Sequence, residues 1–367
     1  MPTFSPVPAI VLTALLAAVG GCDPGGAQAP SQHDVTWRNG WGGLTMNTSN
    51  WVSAPSRDVY EFHRLGETTT NGFGLDVRLL SIAYPHPTWG FIESDPSQGA
   101  LPGVPQVKIK KQNELALKIT NNQPWPFSTT QIITGADLVG TELILQVDSP
   151  PSGYATKLRI TGHAEDPQGG SLFMLERFDP GTHALLGAVC EPASDGTRLA
   201  AIYGDLSIDV DDGTVTTPDH IFHIACVAGA PGKAPSLGYH PKDSIANFRL
   251  ANRIIRADYC AGGYPYTYPG NPLQILDNVS PGQAGTTLAD VYAHADLNGL
   301  AVEAVWDDHG ILCIDVPRVD ELDPSDVFCP IKTLPNGPMY SWKPPPCDTF
   351  DDPAPGERRF FSLTAPS

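Results

Sequence analysis

Six of the seven cysteines in this chain fall in its C-terminal half, at Cys190, Cys226, Cys260, Cys313, Cys329 and Cys347. The seventh, Cys22, closes a short apolar run near the start, and none lies between Cys22 and Cys190. No other residue type constrains the fold as strongly. An even set of cysteines in an exported chain implies cross-links, each of which ties together two distant points of the backbone. Residues 36–150 form a cysteine-free stretch ahead of them.

Composition narrows the architecture further. The 367 residues include 36 Gly and 37 Pro, and only 17% are charged. That mix favours short strands and many turns over long helices. The expected class is mainly β with one or two short helices (α+β), with a disulfide-stapled C-terminal domain. A formal net charge of −18 argues against a phosphate-binding protein, because nucleic-acid recognition needs a basic face. Lys108, Lys110 and Lys111 alternate with apolar residues and read as the solvated side of a strand.

Residues 9–19 (AIVLTALLAAV) have the length of a signal-peptide core and are too short to span a bilayer. They lead into Val19, Gly20, Gly21 and Cys22, which resemble a lipobox. Small residues before a cysteine let a signal peptidase seat the strand, and in bacterial lipoproteins that cysteine is then acylated. The stretch ahead (MPTFSPVP) carries no Lys or Arg, so only the α-amino group supplies positive charge. Residues 1–22 are expected to be a lipoprotein signal peptide with Cys22 as the lipidation site. Residues 23–35 are expected to be a flexible tether. No cofactor is implied. The expected partners are the membrane, through the lipid, and an unidentified protein or glycan.

Residues 36–150 read as a β-rich N-terminal region. QVKIKKQNELALKI predicts a hairpin about Gln112-Asn113. Trp37, Trp41, Trp51, Trp89 and Trp125 read as core fillers before a sugar-stacking surface. SPPSG near residues 149–153 marks the expected boundary. Beyond it, Asp212-Gly213 predicts a hairpin between two alternating runs. KDSIANFRLANRIIRADYC predicts a helix capped by Asp243 or Ser244 and ended by Gly262-Gly263, with Arg249, Arg253 and Arg256 near its outer face. A second helix is predicted at 288–295, and a hairpin at 308–310. Residues 331–367 read as a Pro-rich extended tail.

The stretch Arg256, Ala257, Asp258, Tyr259, Cys260 carries a family resemblance. With residues 222–229 (FHIACVAG), Lys233, the Leu-Gly-Tyr at 237–239 before Pro241, Glu303-Ala304, Trp306 and Cys313, it resembles the bacterial ADYC-domain proteins. The resemblance covers residues 155–318, within an ADYC-like domain expected at 151–330. It implies secreted or lipid-anchored proteins of unknown molecular activity and carries over no catalytic residue. The family pattern also has a cysteine after the lysine matched by Lys233 and another nine residues before the motif cysteine. Here Ala234 and Ala251 stand at those places, and their joint change implies that the two normally pair. The remaining six cysteines allow fifteen connectivities. The expected set joins neighbours: Cys190 with Cys226, Cys260 with Cys313, Cys329 with Cys347.

Among polar clusters, His220 and His223 have H-x-x-H spacing but flank a strand, where residues three apart point to opposite faces. Asp209, Asp211, Asp212 and Gly213 lack calcium-loop spacing and read as a turn, as do Asp307, Asp308 and His309. Neither group is expected to hold a metal. Cys260 near His294 or His309 suggests a thiol nucleophile, but a bridged sulfur cannot attack. Asp258 at a helix end opposes the dipole and so needs a partner, expected to be Arg318 or a backbone amide of the GGYPYTYPG loop. The expected function is that of an exported, lipid-anchored cell-envelope protein serving as a non-catalytic binding or structural module. Its location would be the periplasmic face or the cell surface. The alternative is an exported hydrolase with an acidic site near Asp258 and Glu303.

Overall fold

The computed structural model describes residues 44–46, 59–94, 105–110, 114–121, 129–148, 152–166, 168–193, 195–210, 213–267, 270–280, 286–319, 322–330, 341–350 and 357–365. Cys22 and the segments on either side of it, Trp37, Trp41, Trp51, Trp125, Lys111 and the Gln112-Asn113 turn lie outside these residues. The description below concerns the compact unit Thr36–Ser367.

The largest element is an antiparallel sheet. Along its path run Glu61–His63, Ile221–Cys226, Leu199–Gly204, Gly170–Phe178, Tyr154–Asp166, Glu142–Asp148, Asp76–His86 and Thr68–Thr70, with Leu185–Ala188 and Gly90–Ser94 paired at its side. The two end strands, Glu61–His63 and Thr68–Thr70, are consecutive in sequence, so the sheet curls back into a nearly closed barrel. Such closure hides most of the unpaired strand edges. Strand alternation fills the interior. In Asp76–His86 the inward residues are Val77 and Leu79, then Ile82 and Tyr84. The switch from odd to even positions falls where the register shifts between Leu79 and Ser81, as a bulge requires. The hairpin expected around Gln112-Asn113 forms as Gln106–Lys110 with Ala116–Thr120. With Thr130–Ile133 it makes a three-stranded sheet whose Val107, Leu117, Ile119 and Ile133 join the barrel core. Trp89 is exposed and stacks on His86 at 4.1 Å, which corrects its reading as a core residue.

The expected boundary at residues 149–153 is not one. Glu142–Asp148 and Tyr154–Asp166, on either side of it, pair with each other from Glu142 to Val147. Strands on both sides of it build one barrel, because burying their inner faces takes the whole set.

Outside the barrel, the described residues include two α-helices that precede Pro272–Asp277 of a second sheet and a third inserted between that strand and Ala301–Asp307. Helix α1 (Ala230–Lys233) packs directly on Ile221–Cys226. A Cβ at Gly232 would stand 2.3 Å from the Cys226 carbonyl oxygen, so this approach requires glycine. Helix α2 (Ile245–Arg256) starts at Ser244, whose hydroxyl accepts from the Asn247 amide at 3.2 Å. It ends earlier than expected, at Ala257, which takes the left-handed conformation (φ 50°) and turns its amide back to the carbonyls of Arg253 and Ile254. Arg253 and Arg256 are buried rather than on an outer face. Helix α3 (Leu288–Asn298) has a capping box between Thr287 and Asp290.

The five-stranded antiparallel sheet runs Leu44–Met46, Pro272–Asp277, Phe360–Thr364, Ala301–Asp307, Gly310–Ile314. Phe360 faces the core shared with α2, whereas Phe361 and Leu363 face the core shared with α3. Phe360–Thr364 is therefore a central strand buried on both faces, not part of an extended tail.

Among the described residues there are three disulfides. Cys190–Cys226 is as expected and lies in the barrel core. The other two differ, being Cys260–Cys329 and Cys313–Cys347. The sheet explains why. Cys260 and Cys329 pack on its α2 side, while Cys313 and Cys347 pack on its α3 side. Neighbour pairing would have had to cross the sheet.

Candidate functional site

The motif residues follow the end of α2, and each makes a distinct contact. Ala257 is fully buried at the helix stop. Asp258 turns into the glycine loop, where the amides of Gly262 and Gly263 each donate to one carboxylate oxygen at 3.0 Å. The expected partner in that loop is thus found, and Arg318 is engaged elsewhere. Burial pushes the Asp258 carboxyl above its ordinary value, against the opposing pull of the Gly263 amide and of Arg256 and Arg253. Burial also lowers Arg256 to about 10, and its guanidinium donates to the Gly263 carbonyl at 2.6 Å.

Tyr259 points the opposite way, into the core. It stacks on Tyr266 with ring centroids 5.3 Å apart and leans on Trp306 at 5.6 Å. Its hydroxyl donates to Glu303 at 2.7 Å, and burial followed by that carboxylate pushes its pKa well above the usual range. Glu303 sits where the pairing with Phe360–Thr364 skips a residue between Val302 and Ala304. The bulge aims its side chain at Arg318, 2.7 Å away. Arg318 also donates to the carbonyls of Ile254 and Ile255 at the end of α2. Both carbonyls belong to the last turn of α2, where the helix dipole is negative, so a buried cation there serves both the carboxylate and the helix terminus.

Asp258 and Glu303 are each 0% exposed. They contact different groups, one the glycine loop and the other the Tyr259–Arg318 pair. Neither offers an open oxygen to a substrate, so the arrangement works chemically as a clasp holding the helix end to the sheet.

The open surface lies beside the clasp. A groove of about 490 Å³ is lined by the Cys260–Cys329 bridge, Leu312, Trp342, Asp307 and His309, with Arg253 at its edge. The Tyr259 carbonyl accepts from the Ile311 amide at 3.0 Å, which docks the Ala301–Asp307/Gly310–Ile314 hairpin on the motif. A Cβ at Gly310 (φ 129°) would lie 2.7 Å from that carbonyl oxygen, so glycine is required at the turn. Asp307 accepts from the His309 amide at 2.7 Å, and the His309 side chain is 92% exposed. Residues 307–309 form a polar turn, as expected from the sequence. What the sequence hides is that the turn walls a groove with Trp342, a residue distant in sequence and without a local signal.

The remaining candidates are placed apart from the groove. His223 is buried and bonds Glu61 at 2.8 Å, while His220 lies outside the strand. The Gly213 amide (φ 70°) donates to the Asp209 carbonyl at 2.8 Å, while Asp211 and Asp212 lie outside the described residues. His294 on α3 contacts Gln274 at 3.0 Å. Among the described residues, no group of three or more His, Cys, Asp or Glu side chains is placed to hold a metal ion. Among them too, no helix is long and apolar enough to cross a membrane.

No curated protein and no solved structure matches the chain. A family match does exist, and it starts upstream of the resemblance read from residues 155–318, taking in Glu142–Asp148 and the turn before it. The ADYC domain matches residues 135–320, about half of the chain, and the chain belongs to the ADYC domain family.

Proposed function

We propose that this chain is an exported bacterial cell-envelope protein, anchored by a lipid on Cys22, that acts as a non-catalytic binding or structural module. The groove beside the motif is its binding surface, and a protein segment or glycan is the occupant. The observation that carries this reading is the fate of the two carboxylates. Asp258 and Glu303 are buried and spent on Gly262, Gly263, Tyr259 and Arg318, whereas the adjoining open surface presents an indole, a disulfide and an exposed imidazole. Aromatic faces with a few polar groups at the rim suit recognition of sugars or extended peptide. A hydrolase built on Asp258 and Glu303 loses support, because a general acid must reach its substrate within hydrogen-bond distance.

Two measurements test the reading. Cys22→Ala with metabolic lipid labelling should abolish label and release the protein from the membrane fraction; unchanged partition contradicts the anchor. Capture from envelope extract by the disulfide-intact domain should fall when Trp342→Ala is introduced and persist with Phe91→Ala, an exposed site on the barrel. Equal capture by both variants contradicts the groove.

A further inference from the structure

The three disulfides differ in their access to solvent. Cys190 and Cys226 are each 1% exposed inside the barrel core, and Cys313 and Cys347 are 0% exposed beneath α3. Cys260 is partly exposed, its partner Cys329 is 7% exposed, and both sulfur-bearing residues line the groove. Ala261, next to Cys260, also lines the groove.

We propose that the Cys260–Cys329 bridge is a thiol-exchange site, with Cys260 the residue modified by small thiols entering the groove. Exchange proceeds by attack of a thiolate on one sulfur of a disulfide, so it depends on access to that sulfur. The incoming thiolate forms a bond to the Cys260 sulfur, the Cys260–Cys329 bond breaks, and the electron pair leaves on Cys329, which takes a proton from solvent. A second thiol then attacks the mixed disulfide, releasing Cys260 as a thiolate and the two small thiols as their own disulfide. Two thiols are oxidised and one bridge is reduced. The lower exposure of Cys329 makes Cys260 the attacked sulfur.

The bridge also sets the shape of the groove. Cys329 lies in a two-residue strand, Cys329–Pro330, paired with Ser341–Trp342, and Cys329 sits opposite Trp342. This ribbon is tied to the motif through Cys260. Opening the bond removes the covalent tie between this ribbon and the motif and leaves Trp342 held by its packing on the α2-side core, so the redox state of one bond bears on one wall of the groove. The inference depends on burial and placement, and it stands or falls separately from the lipid anchor and from the identity of any groove ligand.

The test uses the oxidised full chain. It is incubated with glutathione at mildly alkaline pH, quenched with an alkylating agent and mapped by peptide mass spectrometry, while circular dichroism follows the fold. The expected result is a glutathione adduct on Cys260 and an alkylated Cys329, appearing about tenfold or more ahead of label on the other four cysteines while the dichroism is unchanged. Simultaneous opening of all three bridges, an adduct on Cys329 instead, no opening of any bridge, or labelling that tracks loss of the fold would each overturn it.

Discussion

The Tyr259 hydroxyl donates to the Glu303 carboxylate at 2.7 Å, and both side chains are fully buried. Arg318 closes the other side of the carboxylate and reaches on to the last carbonyls of α2. Removing one partner of a buried ion pair leaves an uncompensated charge, which typically costs about 3–5 kcal/mol. Arg318→Met is therefore expected to destabilise the chain by about that amount, and Tyr259→Phe by about 1–3 kcal/mol through loss of the bond to Glu303 and of the longer one from the Arg318 amide. Urea denaturation followed by tryptophan fluorescence measures both. A loss under about 1 kcal/mol for Arg318→Met would show that the pair is not structural.

Asp258 gives a pH signature. Its carboxyl is raised by burial above the ordinary 3.8, so the folded chain keeps the proton to higher pH than the unfolded chain does. Between the ordinary and the raised value the folded state binds more protons, and stability falls as pH rises through that window. The contribution is fully present below the ordinary value. Asp258→Asn cannot titrate. It should cost about 1–3 kcal/mol at acid pH by facing an amide donor with a donor, and its deficit relative to wild type should narrow as pH rises through the window. Denaturation at a series of pH values reads the gap directly; a gap that widens with pH contradicts the assigned shift.

Local elements were legible in the sequence where a short-range signal stood alone. Alternation found the hairpin Gln106–Lys110/Ala116–Thr120, the choice of Asp243 or Ser244 as cap bracketed the start of α2, and the short helix expected at 288–295 is α3. Phe360–Thr364 was hidden because a strand buried on both faces need not alternate, and its five residues, Phe-Phe-Ser-Leu-Thr, are too few to stand out from a Pro-rich surrounding. The barrel was hidden because Glu61–His63 pairs with Ile221–Cys226 across some 160 residues, from Glu61 to His223. At the site, the need of Asp258 for a partner was legible from the helix dipole, whereas the Glu303–Arg318 pair depends on a bulge with no sequence marker. Disulfide pairing depended on which face of a sheet each cysteine occupies, and that is a tertiary property.

The family pattern implies a bridge that this chain lacks, between the positions of Ala234 and Ala251. Both residues are fully buried in one core, and α1 packs against α2. The double variant Ala234→Cys/Ala251→Cys is expected to oxidise to a fourth disulfide and raise stability by roughly 3 kcal/mol or less, given the short loop it closes. Non-reducing peptide mapping checks it. Two free thiols persisting under oxidising conditions would show that these positions do not face each other.

The central claim is that the motif carboxylates serve the fold while the groove serves recognition. The most direct measurement is capture from envelope extract by Asp258→Asn and Glu303→Gln, each confirmed folded by circular dichroism and set beside Trp342→Ala. The account predicts that both carboxylate variants retain the bound component at wild-type level and that Trp342→Ala loses it. Loss of capture in the folded carboxylate variants with retention in Trp342→Ala would contradict it.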